Sequence, residues 1–550
     1  MCSSVRYTWN LKTDEWKKWS FAEKGNVMGA KYYVTTPLYY VNAKPHVGHA
    51  YTNVIADCMA RYQRLRGADV FFMTGTDEHG EKIKKAAHQH QQEVKPYVDS
   101  VVEHFTALWE MLDIGYDFFI RTTDQFHQHA VQEVIRRLDR NGDIYKASYR
   151  AFYCVPCESF WTEPQIKETE GRCPDCRRDL QEFEEENYFF RLSKYEPWLK
   201  SQLREHPDWI RPQVRYNEVR GFLENNPLED LCISRPRSRV SWGVEFPLDP
   251  EYVVYVWFDA LLNYISGAGY LTDPDRFGRV WPADVHFMAK DILRHHAVFW
   301  PVMLRALGLP QPKVIFAHGW WKFEGEKMSK SRGNIIDPRQ IIPQLGGGRE
   351  DESSSGVDAL RYFLLREVPI GMDGNYSWRA IVNRMNSDLA NDLGNLVYRT
   401  INMTEKYAQG LVSGISSPLP ESFAGVFATV KSEYPRLMDQ GDFSNALAQV
   451  FEFVRLMNKY VEERKPWELN KAGRTDELGV FLYHLLEGIR VVAVYLSPFI
   501  PGTARTIFRQ IGIDSSLLAR QGALEHADWH ADGSFHVHKE TPLFPRIDVD

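Results

Sequence analysis

The sequence predicts an α/β fold: a parallel β-sheet split by a cysteine-bearing insertion and followed by an α-helical bundle. Three observations carry that reading. Short β-branched and aromatic runs alternate with helical apolar spacing at both ends of residues 29–325. Two Cys-x-x-Cys pairs interrupt the pattern between them, and from about Arg384 the text is amphipathic helix after helix. A chain of 550 residues has room for roughly three or four domains, and 44% hydrophobic with 25% charged residues is an ordinary globular composition. The formal charge of −7 excludes little, because phosphate binding depends on where Lys and Arg cluster.

Residues 1–28 carry Trp9, Trp16 and Trp19 among lysines and acidic residues. They lack the apolar stretch of a signal peptide, and Asp14, Glu15 and Glu23 argue against a transit peptide. They read as a poorly ordered extension. Tyr32 to Thr36 reads as a buried strand, followed by a loop through Pro37 to Pro45. Val47, Tyr51, Val54, Ile55, Cys58, Met59, Tyr62 and Leu65 recur at helical spacing until Gly67, and Val70 to Met73 forms the next strand. This Rossmann-type opening gives a first half over 29–119. An insertion fills 120–245, with its cysteine knuckle at 150–180. The sheet resumes over 246–325. There Tyr252 to Trp257 reads as a strand with a helix to Ser266, Val285 to Met288 as a strand with a helix from Ile292 to Leu304, and Val314 to His318 as the last strand. Residues 326–383 connect to the helical part, and Gly346 to Gly356 within them reads as a low-complexity surface loop. The helical part covers 384–550, with no strand before the tail. No apolar run approaches the length of a membrane span.

The seven cysteines are not spread as in a disulfide framework. Cys154, Cys157, Cys173 and Cys176 form two Cys-x-x-Cys pairs, with Pro156 and Pro174 shaping the turns. Four thiolates so spaced fit a closed, tetrahedral, structural zinc ion, one per chain. A redox pair would need only one such motif.

His46-Val47-Gly48-His49 stands at the first turn of the first helix, behind Pro45. Free N–H groups and the positive end of the helix dipole suit a phosphate there, and Gly48 leaves room for it. Alone, His-x-x-His is usually two surface histidines. Lys327-Met328-Ser329-Lys330-Ser331 follows the last strand, however, and two ammonium groups suit a reaction that gathers charge on phosphate oxygens. The pair resembles the HIGH and KMSKS signatures of class I aminoacyl-tRNA synthetases, with Val47 in place of the usual Ile. The resemblance covers nearly everything from about residue 30 onward. It implies a Rossmann domain split by a connective insertion and followed by a helical anticodon-binding domain.

Within that class, Thr36 to Asn42, Thr76 to Gly80, Trp257 to Leu261 and Lys290-Asp291-Ile292 resemble the methionyl-tRNA synthetases. The resemblance implies that methionine reacts with ATP and Mg²⁺ to give methionyl-adenylate and pyrophosphate. The methionyl group then passes to the 3′-terminal adenosine of tRNA(Met). By the same resemblance Asp77 takes the methionine ammonium group, and the Leu38 backbone and Tyr264 hydroxyl meet the sulfur. Tyr40, Trp257, Ala260, Leu261, Ile292 and His296 wall the pocket. ATP lies against His46, Gly48, His49, Asp259, Lys290, Asp291, Lys327 and Lys330. Catalysis falls to His46, His49, Lys327, Lys330 and Arg235, the last in Ser234-Arg235-Pro236. A polarizable thioether is well selected by such aromatic and aliphatic walls with one or two weak donors. Ala289 departs from the glycine usual before the Lys-Asp pair.

Asn395 and Arg399 stand one helical turn apart, and Trp467 follows a break at Lys465-Pro466. A ring, a guanidinium and an amide suit single-stranded bases, and the resemblance implies that these three read the anticodon. The end of the sequence, Pro542 to Ile547, matches the end of short family members, which implies a monomer. A cytoplasmic enzyme without membrane contact is expected. Synthetases for leucine, isoleucine or valine usually need an editing domain, for which 120–245 has no room. The cysteine enzyme would need an open zinc position. An inactive tRNA-binding relative would not need both signatures, and a small nucleotidyltransferase would not need the helical domain.

Overall fold

A computed structural model describes residues 29–161, 166–323, 326–327, 336–347 and 353–548. The extension expected over 1–28 lies outside the described residues.

Six strands form the central sheet: β1 (Lys31–Tyr40), β2 (Asp69–Asp77), β3 (Phe118–Arg121), β4 (Ile210–Arg211), β5 (Val285–Ala289) and β6 (Ile315–His318). Their order is β3-β2-β1-β5-β6-β4 and every neighbouring pair is parallel. Helix α1 (Val47–Leu65) makes the crossover from β1 to β2 and buries Val47, Tyr51, Val54, Ile55, Cys58, Met59, Tyr62 and Leu65, the positions that mark it in the sequence. Strands after β1 are laid to one side and those of the second half to the other. A crevice therefore opens at the carboxyl ends of β1 and β5, the usual place for a ligand in such sheets.

The intervening chain builds a separate antiparallel sheet from Ile144–Cys154, Ser159–Trp161, Gln181–Phe190 and Leu231–Cys232. The span 120–245 is not wholly an insertion, because β4 within it returns to pair with β6 at the edge of the central sheet. Two residues leave no periodic signal by which a sequence could mark them. Tyr252 to Trp257 also departs from expectation. Tyr252–Val254 pairs antiparallel with Ser234–Pro236, outside the central sheet, and α2 (Val256–Leu261) has already begun at Val256. A buried apolar run does not reveal which edge it joins. The helix expected from Ile292 to Leu304 is broken into a 3₁₀ turn (Lys290–Ile292), a π turn (His295–Phe299) and an α-helix from Trp300. Pro301 has no N–H, so the turn before it widens.

Part of the expected serine-glycine loop is helical: Ser353 to Gly356 open α3 (Ser353–Arg366). A Cβ on Gly356 would stand 2.1 Å from the Ile342 carbonyl oxygen, so glycine lets α3 lie against the helix Pro338–Leu345. The C-terminal part holds α4 (Asn395–Ala408), α5 (Phe443–Arg464), α6 (Pro466–Lys471) and α7 (Thr475–Leu496). The tail strand Asp532–His536 is present, and its partner Leu411–Ser416 is a strand the helical reading missed. Helix α7 corrects a second reading, since by length and apolarity it is sufficient to cross a membrane. Its residues from Phe481 to Leu496 are all buried, which makes it the central helix of the bundle.

One apolar core runs from α1 through α3 to α7. At its centre lies an ion pair with no exposure on either side, Arg361 Nη2 to Asp57 Oδ2 at 2.6 Å. Arg361 on α3 also donates to the carbonyls of Leu112 (3.0 Å), Pro498 (3.1 Å) and Phe499 (2.9 Å). Asp57 on α1 accepts from Arg61 Nε and the Gly115 N–H, both at 2.8 Å. Burial alone would raise the Asp57 carboxyl, but Arg61 and Arg361 hold it below its usual value. Its contribution to stability is therefore present above the unfolded carboxylate value, about pH 4, and is lost as pH falls through the folded value. Replacing Arg361 by Leu should cost about 3–5 kcal/mol, because Asp57 then stays buried with one partner fewer. Chemical denaturation at pH 7 measures this; a loss within about 0.5 kcal/mol would show that the pair does not join the two parts.

Candidate functional site

A cavity of about 1140 Å³ opens at the crevice between β1 and β5. Its walls include Leu38 and Tyr40 from β1, Asp77 from β2, Trp257, Ala260 and Leu261 from α2, then Tyr264, Ile292 and His296. These are all the residues expected to hold the amino acid. His296 Nδ1 bonds the Ile292 carbonyl at 2.9 Å, so its proton sits there and Nε2 accepts the Tyr264 hydroxyl at 2.8 Å. Burial pushes the His296 ring down to about 4, which keeps it neutral. A thioether sulfur arriving here would compete with His296 for the Tyr264 proton. Trp257 stands edge-on to Tyr40 at 6.3 Å and stacks on His295 at 3.7 Å. His295 lines the same cavity and was not singled out by the sequence, where it reads as an ordinary helix residue.

Asp77 is 2% exposed. Burial, then the carboxylates of Asp259 and Glu158, push its carboxyl well above the usual range, while the His79 N–H and the Tyr40 hydroxyl oppose that. No basic side chain forms an ion pair with it among the described residues. Asp259, expected at ATP, is placed differently. It is fully buried, with Oδ2 on His79 Nδ1 at 2.7 Å and Oδ1 on His127 Nε2 at 2.9 Å. His127 is in turn bonded to the Ser266 hydroxyl at 2.7 Å. Both Asp259 oxygens are thus engaged by histidines.

Lys290 and Asp291 line the mouth of the cavity beside Trp320. The Lys290 ammonium bonds both oxygens of Asp373 (2.7 and 2.9 Å) and lies 4.3 Å from the Trp320 ring centre. Lys322 reaches Asp373 at 2.9 Å as well. Despite partial burial, these cations and the Trp320 N–H hold the Asp373 carboxyl well below its usual value. Trp320 Nε1 donates to Asp291 at 3.2 Å. A phosphate that recruits Lys290 must therefore draw it from Asp373, a partner the sequence does not reveal.

At the head of α1, His46 is the N-cap. Its Nδ1 accepts the Gly48 N–H at 3.0 Å, and His49 Nδ1 accepts the His46 N–H at 3.1 Å. Each ring therefore carries its proton on Nε2 and serves as a donor. The space beside Gly48 belongs to His46: a Cβ there would stand 2.9 Å from the ring. The expectation that Gly48 makes room for a nucleotide becomes room for the capping imidazole. Arg235 is buried on the strand Ser234–Pro236, with its guanidinium 4.3 Å from the Tyr153 ring centre. Lys327 belongs to a short strand paired with Lys322, and Lys330 lies outside the described residues.

The four cysteines converge. Their sulfur atoms all lie within 4.8 Å of one another, with Cys154 to Cys176 at 3.5 Å and Cys157 to Cys173 at 4.0 Å. Tetrahedral thiolates about 2.3 Å from a zinc ion would be about 3.8 Å apart, so the donor set fits that metal. Trp161 and Ile166 pack against Cys154 and Cys173 as a small apolar core of the knuckle's own.

In the bundle, Asn395 and Trp467 are exposed, the latter at 44%. Arg399 bonds Glu462 near the end of α5 at 2.8 Å, five residues before Trp467, so α4 and the start of α6 face one region of surface.

A family model described as tRNA synthetases class I (M) matches residues 32–184 and 178–401, and one described as the anticodon-binding domain of tRNA ligase matches 422–541. A methionine–tRNA ligase of Caldanaerobacter subterraneus is 47% identical over 95% of the chain and 80% of the relative. One of Thermotoga maritima is 45% identical over 94% and 81%. The structure of Mycobacterium tuberculosis methionyl-tRNA synthetase in complex with methionyl-adenylate superposes with a TM-score of 0.87 at 39% identity, covering 94% of this chain and all of that one.

The exposure of Trp467 generates a prediction. Trp467→Ala should leave the unfolding free energy, measured by chemical denaturation, within about 0.5 kcal/mol of the parent. A loss of about 3 kcal/mol or more would mean that the ring packs the bundle.

Proposed function

The chain belongs to the methionyl-tRNA synthetases of class I and is a methionine–tRNA ligase, and from that premise we propose how its residues divide the work. The observation that carries the proposal is Asp77. A carboxylate buried beside two others, with no basic side chain paired to it among the described residues, is compensated when an ammonium group arrives. Methionine supplies it. Its side chain then runs between Tyr40 and Trp257 toward Tyr264 and His296, and a branched or shorter side chain would leave that end empty.

The methionine carboxylate attacks the α-phosphorus of ATP in line. A carboxylate oxygen–phosphorus bond forms, the bond to the bridging oxygen breaks, and pyrophosphate leaves. His46 and His49 donate Nε2–H to phosphate oxygens at the head of α1, where the helix dipole adds its positive end. Lys327 and Lys330 neutralise the charge of the leaving pyrophosphate, and Mg²⁺ enters as part of the ATP substrate. Arg235 acts at the edge of the reacting carboxylate. In the second step the ribose hydroxyl of the terminal adenosine attacks the acyl carbon and AMP leaves. No side chain need become covalently attached; position and electrostatics carry the rate. Asn395, Arg399 and Trp467 meet the anticodon of tRNA(Met). The cysteines hold one zinc ion, whose chemistry is structural because the thiolates occupy all four positions.

Exchange of pyrophosphate into ATP across a panel of amino acids tests the reading. Methionine alone should support rapid exchange, and equal exchange with leucine or cysteine would overturn it. Metal analysis of chelator-washed protein should find one zinc per chain, since a closed site of this kind exchanges slowly. Retention of that zinc after Cys173→Ser with Cys176→Ser would remove these cysteines from the site.

A further inference from the structure

Glu158 follows Cys157 directly, in the turn that leaves the knuckle's first strand, with its backbone in the left-handed region (φ 50°). A non-glycine residue there is strained, and a buried carboxylate adds a desolvation cost. A thiolate knuckle needs neither. Yet the side chain is 1% exposed and turns back toward the amino-acid cavity. One carboxylate oxygen accepts the Lys82 N–H at 2.9 Å and the other the Tyr40 hydroxyl at 3.4 Å, while the Glu158 carbonyl accepts the Tyr255 hydroxyl. Tyr40, Lys82 and Tyr255 all line the cavity. Gly80 makes the approach possible, because a Cβ on it would stand 2.6 Å from the Glu158 carboxylate. The Tyr40 ring is edge-on to Trp257, and Tyr40, Trp257 and Asp77 line the same cavity.

We propose that Glu158 is a positioning residue for methionine: reaching out of the cysteine knuckle, it fixes the Tyr40 hydroxyl, and with it the wall facing Trp257 and the approach to Asp77. The knuckle then sets amino-acid affinity as well as covering the cavity. This rests on the cavity being the methionine site. Glu158→Gln keeps the shape but presents an amide in place of one acceptor oxygen, so the Tyr40 hydroxyl must turn its proton elsewhere.

The test is steady-state pyrophosphate exchange with Glu158→Gln, Tyr40→Phe, the double variant and Asp77→Asn, with bound metal measured on each. Glu158→Gln should raise the methionine KM about tenfold, with the ATP KM and metal content of the parent. The double variant should be no worse than the worse single one, since both remove the same bond. An unchanged methionine KM in Glu158→Gln overturns the proposal. So do effects that multiply in the double variant, or a loss of metal or rise in ATP KM that keeps step with the methionine KM. A methionine KM unmoved by Asp77→Asn would instead remove the pocket reading itself, so the two failures are told apart.

Discussion

The site is organised around a buried carboxylate, Asp77, that has no basic side chain paired to it among the described residues. Asp77 sits at the carboxyl end of β2, near Asp259 and Glu158, where burial and like charge both oppose its ionisation. Such a group is costly unless something positive completes it. The surrounding structure shields it without neutralising it. Asp259 is claimed by His79 and His127, Glu158 by the Lys82 N–H and Tyr40, and Lys290 by Asp373. Each potential competitor is tied to a partner of its own. In the function proposed above, the substrate's ammonium group supplies the missing charge and the aromatic walls select what is attached to it.

That arrangement depends on two further parts of the chain. One is α1, whose first turn holds His46 and His49 and whose middle carries Asp57. Because Arg361 bonds Asp57 together with carbonyls of Leu112, Pro498 and Phe499, the helix that carries His46 and His49 at its N-terminus is clamped to the bundle that carries Trp467. The other is the cysteine knuckle, whose Pro156, Cys157 and Cys176 line the cavity and whose Glu158 accepts the Tyr40 hydroxyl. Catalytic half, knuckle and bundle thus share contacts in which buried charge is paired rather than exposed. A shift of any one part would leave a charge uncompensated.

Much of this was legible in the sequence, for reasons that differ by element. The cysteine pairs were legible because their spacing is itself the geometry of the donor set. The cavity residues came from the resemblance of short motifs to a family, and motifs so far apart in the chain meet in one place because strand ends in an open α/β sheet converge. Contacts between single residues distant in sequence were not. Asp259 reads as a site carboxylate until His79 and His127, separated from it by 180 and 132 positions, are seen to take both oxygens. Asp373 gives no sign that it holds Lys290, and Ile210–Arg211 is too short to announce a strand. Glu158 could have been noticed, since an acidic residue directly after a Cys-x-x-Cys pair has no part in binding the metal. Gly48 shows a subtler limit. Its smallness was read as space for a ligand, whereas the ring of His46 fills it.

The claim that Asp77 waits for an ammonium group is tested most directly with the deaminated analogue of methionine, 4-(methylthio)butanoate. It keeps the carboxylate and thioether and lacks only the charge in question. Dissociation constants for both ligands would be measured by calorimetry on the parent protein and on Asp77→Asn. The account predicts that the parent prefers methionine by about a hundredfold or more, and that Asp77→Asn narrows the preference to within about threefold. An undiminished preference in Asp77→Asn would place the ammonium group elsewhere and contradict the account.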